Sequence, residues 1–579
     1  MKQISRSSIL LLLIAIAFTS CKNNVPKEAK YIPKEASFVL VLDPQQMQDK
    51  LQKGGISIDT LISRVFKKDA NDEKDKAIFN GMRDSAGINW GNQLFLFMVQ
   101  KTNADNSQAN AFSLLGGLKD AATFERYLKK NEELKGKEIK KEKDFSYMIT
   151  GAGSILAWND QQVIATMYTH AQKPVYDTVA MTFKRPDPIN TETEMKTELS
   201  RYFTQKVNES LADVAIFTDM FKEKADGYTF TSANSSLASL SMMPLQIPKL
   251  EELIKDNYVT ATLSFDDGKI VAKSTSYTNK LLSSVLKQYA GPTVDLSLIE
   301  NYPSQNINGI MLAAFNPEIF GGILKQLEVE GLVNNFIEKT GFTSQDLYKS
   351  LKGDIAVVVS DLGTGEAAAE LQTKHDERSM MQKHHSGKML LNAPVGDKAS
   401  FIKIMDKAVA MGYLVKQKNN TYKAGELIST IGVFVIADEK NLFIASDSVT
   451  YAAYMAKTSK AVISKEALDR FKGKSSVLYF DIANTLNGFT KDSSGHFHHS
   501  LNTAKETFKD VIATSDNFDG KSVKASFEVR MQNEKQNSLV TLTSLLTDIA
   551  VDMRLQARKE KEMEEKLFPG GVPAVIRTN

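Results

Sequence analysis

The sequence contains one cysteine, Cys21, in 579 residues. A single thiol cannot form an internal disulfide, and it cannot build a cysteine-based zinc site. The body must therefore be held together by packing alone. A chain of this length buries enough apolar surface to fold without covalent cross-links.

An excess of charge of either sign is also missing. Lysine and arginine total 72 and aspartate and glutamate total 69, which leaves no domain-wide field that would attract a polyanion. We therefore expect no nucleic-acid partner. With 42% hydrophobic and 24% charged residues, the composition is that of an ordinary globular protein.

The N-terminal apolar run is short. It extends from Ile9 to Phe18, whereas a helix that crosses a bilayer needs roughly 20 apolar residues. Lys2 and Arg6 precede this run, and Thr19 and Ser20 follow it, which is the layout of a secretory signal. Residues 1–20 are therefore predicted to be a signal peptide that is removed.

Familiar catalytic motifs are absent. The sequence has no Gly-x-x-x-x-Gly-Lys-Ser/Thr phosphate-binding loop, no Gly-x-Ser-x-Gly nucleophile elbow and no His-Glu-x-x-His pair. The nearest dinucleotide-type string, Gly151-Ala-Gly153, lacks a third glycine and is better explained as a turn. No catalytic residue and no organic cofactor are predicted.

Histidine is distributed unevenly, because six of the seven lie in two polar stretches of the second half. Neighbouring imidazoles can bind zinc, copper or nickel if the backbone turns suitably. The simpler interpretation is two solvated loops with incidental histidines, since no cysteine or well-spaced carboxylate completes a rigid site. Weak capture of a divalent transition metal is the alternative, and its ligands would be His375, His384, His385, His496, His498 and His499.

Sequence features recur in the same order along the two halves. An apolar segment in the first half leads into Asp43 and Pro44, which are predicted to be an N-cap and the first helical residue. Another apolar segment leads into Asn316-Pro317 in the second half, in the same arrangement. Such collinear recurrence favours a duplication. The further matched pairs are Leu94–Val99 with Ile355–Val359, Asp120–Phe124 with Asp397–Phe401, Val163–Met167 with Leu442–Ala445, Val214–Phe217 with Val477–Phe480, and Asp267–Lys269 with Asp519–Lys521. The last pair is predicted to form Asp-Gly hairpin turns.

The recurrence predicts an α+β fold with two tandem similar halves, each a largely antiparallel sheet with helices packed on one face. The predicted boundaries are a tether at 21–32, a first repeat domain at 33–290, a junction at 291–302, a second repeat domain at 303–550, and a charged helix end and tail at 551–579. The six clustered histidines fall in loops of the second domain.

Phe18, Thr19 and Ser20, which precede Cys21, resemble a bacterial lipobox. The resemblance implies cleavage before Cys21 and attachment of diacylglycerol to its thiol, which anchors the protein to a membrane. Lys22 follows, where an inner-membrane retention signal would place aspartate, so the outer membrane is expected. Residues 22–25 lack the acidic run that resembles a surface-export signal, so the periplasmic face is expected rather than the cell surface. The alternative is an ordinary signal peptide with an incidental cysteine.

The chain as a whole resembles uncharacterised families of bacterial envelope lipoproteins, in which a lipobox precedes a duplicated α+β body. Its opening, with Pro33, Ala36 and a strand into Asp43, is similar to theirs. Those families imply no catalytic residues. The resemblance implies a non-enzymatic, lipid-anchored envelope protein that binds or scaffolds a protein, a glycan or a small ligand.

Two alternatives stay open. A hydrolase that uses loop carboxylates predicts a deep pocket with paired acids of perturbed pKa, whereas a binding module predicts an open groove. A metal binder predicts that the two histidine-containing loops meet at one end of the second domain.

Overall fold

The computed structural model describes residues 25–65, 76–77, 80–102, 108–171, 175–177, 181–184, 191–234, 247–362, 387–457, 459–489, 497–549 and 551. The longer segments contain both strands and helices. The strands are β1 Ala36–Leu42, β2 Ile88–Asn89, β3 Leu94–Thr102, β4 Gln108–Leu118, β5 Lys140–Lys141, β6 Ser146–Gly151, β7 Ser154–Trp158, β8 Gln162–Ala171, β9 Val175–Asp177, β10 Thr182–Lys184, β11 Gly227–Ser232, β12 Tyr258–Asp266, β13 Lys269–Tyr277, β14 Ile307–Ala314, β15 Asp354–Ser360, β16 Lys388–Pro394, β17 Leu414–Lys416, β18 Tyr422–Ala424, β19 Phe434–Ala437, β20 Asn441–Ala445, β21 Ser476–Asp481, β22 Phe508–Ser515 and β23 Ser522–Met531.

The α-helices connect these strands or follow them. They are α1 Pro44–Lys53, α2 Ile58–Val65, α3 Ala121–Lys130, α4 Glu192–Thr204, α5 Ala215–Asp219, α6 Leu250–Ile254, α7 Lys280–Gln288, α8 Ser297–Glu300, α9 Ile319–Gln326, α10 Glu330–Glu338, α11 Ser344–Ser350, α12 Lys398–Ala410, α13 Glu426–Ser429, α14 Ser448–Ala456, α15 Lys465–Phe471, α16 Ile482–Phe489 and α17 Phe497–Thr507. Residues 80–84 and 538–549 are also helical.

Twenty-one strands form one antiparallel sheet, and β9 and β10 form a separate hairpin. Across the sheet the pairing runs β5-β6-β7-β8-β4-β3-β1-β11-β12-β13-β23-β22-β21-β14-β15-β16-β20-β19-β18-β17, with β2 beside β4. The predicted mixture of helices with antiparallel strands is confirmed. The sheets predicted for the two halves are one sheet, because β13 pairs with β23 from Lys269↔Arg530 to Tyr277↔Ser522.

The transition from β1 to α1 follows the sequence signal. Asp43 has an extended backbone and its side chain accepts a hydrogen bond from the Gln46 amide at 3.0 Å, while Pro44 occupies the first helical position. Proline fits there because its nitrogen carries no hydrogen to leave unpaired. In the second half Asn316 accepts from the Glu318 amide at 3.0 Å just before α9.

One matched pair differs in structure. Val477–Phe480 lies in the strand β21, whereas Ala215–Asp219 is the helix α5. Phe217 is fully buried there and packs edge-on against Phe221 and Phe230. Periodicity cannot distinguish a short buried helix from a buried strand. The strand that lies beside β1, as β21 lies beside β14, is β11.

One face of the sheet, called here the covered face, carries two large cores. In the first half the core joins β3 to α4, since it includes Phe97 of β3 and Leu199 and Tyr202 of α4. In the second half the core joins β14 and β20 to α15, since it includes Leu312 of β14, Phe443 of β20 and Phe471 of α15. The predicted junction and tether also contribute to these cores. Val294, Ile299 and Tyr302 belong to the second, and Ala29 and Ile32 belong to the first.

Among the described residues, the opposite face is covered around Phe265 and Met531, at one end of the central strands, and near the two outer ends of the sheet. At one end Phe124 and Leu128 of α3 pack against Met148 and Trp158. At the other end Phe401 of α12 packs with Tyr422, Ala437 and Leu442. The long stretch between these two helices is called here the open face.

The helix that follows the last strand of each half packs against a helix of the other half. Gly322 in α9 lies against the ring of Tyr289, immediately after α7. Gly54, immediately after α1, lies against Val540 of helix 538–549, and Arg64 in α2 forms an ion pair with Asp548 at 2.8 Å. The two halves are therefore joined by a strand ladder and by exchanged helices.

Candidate functional site

The open face is uncharged along the rows of paired side chains that cross it. Successive side chains of a strand alternate between faces, and directly paired residues of neighbouring strands share a face. The pairings therefore define which side chains lie side by side. One row crosses thirteen strands and consists of Leu94, Leu42, Gly227, Leu263, Ala272, Phe527, Ala513, Leu478, Met311, Val357, Leu391, Ile444 and Val435.

The next row also crosses thirteen strands without a charged residue. It is apolar in its first-half portion and rich in alanine, serine and threonine near the centre of the sheet. Its members are Leu156, Ala165, Leu114, Leu96, Leu40, Thr229, Ala261, Ser274, Ala525, Ser515, Ser476, Ala313 and Ile355.

The covered face of the same central strands is different. In β13 it carries Lys269 and Lys273, and in β23 it carries Lys524, Glu528 and Arg530. Charged residues make up 24% of the chain, so the lack of charge on the open face is not a result of the composition. It is specific to this face of the sheet.

Large apolar side chains on the open face are accessible to solvent. Nine of them have between 37% and 54% of their surface exposed. Contiguous apolar surface of this kind marks a site for binding another molecule, because water contact with it is unfavourable. The nine are Leu96, Phe112, Leu114, Met167, Val259, Met311, Leu478, Phe480 and Phe527.

A groove of about 440 Å³ lies on the open face where the two halves meet. Small residues such as Ala272, Ser274 and Ala513 line its floor between the larger Met311 and Phe527. This volume is in the range of sites that bind small molecules. The groove can exclude water from an apolar chain, but it carries no acid, base or nucleophile beyond serine and threonine hydroxyls.

The covered face holds a pair of acids in the second half. Asp481 and Asp510 are direct neighbours on β21 and β22, and burial raises the pKa of Asp481. Asp510 accepts two hydrogen bonds from Arg530, and Asp481 accepts one from the Asn484 amide at 2.8 Å. Both carboxylates are thus used to hold neighbouring elements in place, as expected of a structural ion-pair network.

Most of the predicted site residues lie outside the part of the chain that the structure describes. Cys21, His375, His384, His385 and His496 lie outside the described residues. His498 and His499 lie in α17. Within the described ranges, no three His, Cys, Asp or Glu side chains are grouped so that they could hold a metal ion. The seventh histidine, His170 on β8, has its Nδ1 3.5 Å from the Glu194 carboxylate.

The sequence did not reveal the open face. Its residues belong to strands that are far apart in the chain, so the rows exist only once the strand order is known. The available signal is weaker: uncharged residues recur at every second position of β13, at Ile270, Ala272, Ser274 and Ser276. That alternation indicates a strand with one uncharged face, but it does not show which other strands lie beside it.

The described helices include none that is both long and apolar enough to cross a bilayer. No family model matches the chain, and no curated protein is significantly similar in sequence. One solved structure, crystal form IV of TP0453, is 11% identical to this chain in sequence, with a TM-score of 0.22. The matched region covers 44% of this chain and 81% of the chain in that structure.

Proposed function

We propose that this chain is a non-enzymatic, lipid-anchored envelope protein whose open face binds an apolar ligand. The observation that carries the proposal is the uncharged open face, with nine large apolar side chains accessible at once. Soluble proteins rarely leave such a surface without a partner. Burial of each large side chain stabilises a complex by about 1.5–3 kcal/mol at most, so a few such contacts suffice for binding.

The proposed anchor is the acylated thiol of Cys21, on the periplasmic side of the outer membrane. Its support is the N-terminal signal and the lipobox-like residues before Cys21. We expect Cys21→Ser to abolish labelling with radioactive palmitate and to release the protein from membranes. Labelling that persists in this variant would contradict the anchor.

We also propose that the two halves descend from a duplicated unit. In support, β5-β6-β7-β8-β4-β3-β1-β11-β12-β13 corresponds strand for strand to β17-β18-β19-β20-β16-β15-β14-β21-β22-β23, both across the sheet and in chain order. In each unit a helix covers the outer end of the open face, and the final helix packs on the other unit.

Binding to the open face can be tested with the uncharged dye Nile red, whose fluorescence rises in apolar surroundings. We expect the wild-type protein to enhance its emission and the double variant Met311→Gln, Leu478→Gln to lose most of that enhancement. Leu332→Gln, Leu427→Gln is the matched control, because these leucines are 64% and 59% exposed but lie on helices. Equal enhancement by the wild type and both variants would overturn the proposal.

A further inference from the structure

A shallow, open cavity lined by exposed lysines lies at one end of the central strand β13. It has a volume of about 520 Å³, and its cationic residues are Lys280 and Lys287 of α7 and Lys521, just before β23. The hydroxyl groups of Thr278, Ser283 and Ser284 line it as well, and none of its lining residues is acidic. These hydroxyls are engaged within the protein, since Ser284 Oγ donates to the Leu281 carbonyl at 2.7 Å and Ser283 Oγ lies 2.8 Å from Thr278 Oγ1. The three ammonium groups are therefore the donors suited to a phosphate or another anion.

These three lysines have no carboxylate partner among the residues that the structure describes. At the other end of β13 a similar cavity, of about 540 Å³, is lined by Lys50, Lys53 and Lys535. There Asp267 is part of the lining, and Lys50 forms an ion pair with the buried Asp226 at 2.5 Å. Only the first cavity therefore combines three cations with an acid-free lining.

The acid-free cavity adjoins the open face. Ser276 and Val523 are paired on that face, and Thr278 and Lys521 lie two residues beyond them, about 7 Å farther along the strands. In the other direction β13 continues along the open face from Ser276 to Ile270 for about 20 Å. The acyl chain of a bilayer lipid is about 15 Å long, since two of them span the hydrocarbon core.

We propose that the open face binds an anionic phospholipid. Its acyl chains lie along the uncharged side of β13 and in the groove between Met311 and Phe527, and its headgroup phosphate lies at Lys280, Lys287 and Lys521. The charge pattern requires a ligand with a long apolar part and one anionic end. This inference rests on the proposed function, and it adds the chemical class of the ligand and its orientation.

Selective lipid extraction tests the assignment. The mature full chain, with Cys21→Ser so that it carries no lipid of its own, is incubated with vesicles that contain fluorescent phosphatidylglycerol or fluorescent phosphatidylcholine with identical acyl chains. The protein is then separated from the vesicles and its bound lipid is quantified by mass spectrometry. We expect about tenfold more phosphatidylglycerol than phosphatidylcholine, since each lysine near an anionic lipid favours its binding.

The triple variant Lys280→Gln, Lys287→Gln, Lys521→Gln should bind the two lipids equally. The triple variant Lys135→Gln, Lys418→Gln, Lys465→Gln removes the same charge from exposed positions elsewhere, so it should keep the preference of the wild type. Equal extraction of both lipids by the wild type would overturn the headgroup assignment and leave the proposed apolar site intact. If no lipid is extracted while Nile red binding still depends on Met311 and Leu478, the lipid is excluded as the ligand.

A second copy of the chain is the competing occupant, and light scattering of the lipid-free protein distinguishes it. We expect a monomer. A dimer that dissociates in the Met311→Gln, Leu478→Gln variant would show that the open face binds another copy, and it would overturn the lipid proposal.

Discussion

Arg530 donates two parallel hydrogen bonds to Asp510, from Nε to Oδ1 at 2.6 Å and from Nη2 to Oδ2 at 2.5 Å. The two residues are neighbours on β22 and β23, and their side chains are 8% and 4% exposed. Asp510→Ala should lower the free energy of unfolding by up to about 3–5 kcal/mol, because the buried guanidinium of Arg530 then keeps only its ion pair with Glu466. Urea denaturation measures this loss.

The matched control is Asp213→Ala, which removes the exposed ion pair between Asp213 and Lys34. It should cost no more than about 1 kcal/mol, since exposed pairs contribute little in water. Similar losses in the two variants would contradict the structural role of the Asp510–Arg530 pair.

Gly353 immediately precedes β15 and has a φ of +97°. Any Cβ at this position would collide with the carbonyl oxygen of Phe315. Gly353→Ala should destabilise the protein by at least about 2 kcal/mol, because the left-handed backbone and the collision act together. Gly331→Ala in α10 meets open space and should stabilise by up to about 1 kcal/mol. Thermal unfolding of both variants checks the opposite signs.

Helix 538–549 offers a comparison within one element. Leu539 is 4% exposed and Leu546 is 56% exposed. Leu539→Ala should cost about 2–5 kcal/mol, because it leaves a cavity beneath the helix. Leu546→Ala should change stability by less than about 0.5 kcal/mol. If both substitutions were neutral in urea denaturation, the helix would not be packed on the body.

Asp346 should make the stability sensitive to acid. The hydrogen bond from Lys403, at 2.6 Å, and those from the Thr343 amide and hydroxyl, at 2.8 Å, hold the pKa of Asp346 well below its ordinary value of 3.8. A lowered pKa stabilises the folded state above the ordinary pKa, and the contribution declines as pH falls below it.

We therefore expect Asp346→Asn to be less stable than the wild type at pH 6 and above, with the difference shrinking below a pH of about 4. Denaturation curves across this range provide the measurement. A stability difference that grows as the pH falls would have the wrong sign and would contradict this account of Asp346.

Local signals in the sequence predicted local structure well. Asp43 and Pro44 fixed the start of α1, and Asp267-Gly268 fixed a hairpin turn in which Gly268 has a φ of +67°. Each of these signals acts over a few residues and depends on backbone geometry alone.

Long-range pairing was beyond such reasoning. Nothing in the vicinity of Tyr277 indicates that β13 lies beside β23, and nothing near Met311 indicates that Leu478 is its neighbour. The candidate site depends on those pairings, because each strand contributes only a few side chains to the open face. The fold class was therefore predictable, whereas the surface proposed to bind lipid was not.

The pairing of β13 with β23 has a consequence for biosynthesis. During synthesis the first half emerges long before Ser522–Met531, so the backbone amides and carbonyls along one side of β13 have no strand to bind until nearly the whole chain has been made. An unpaired edge of this kind recruits other chains. Chaperones should therefore be needed most during that interval, and truncations that remove only the last strand should aggregate rather than accumulate as half-folded monomers.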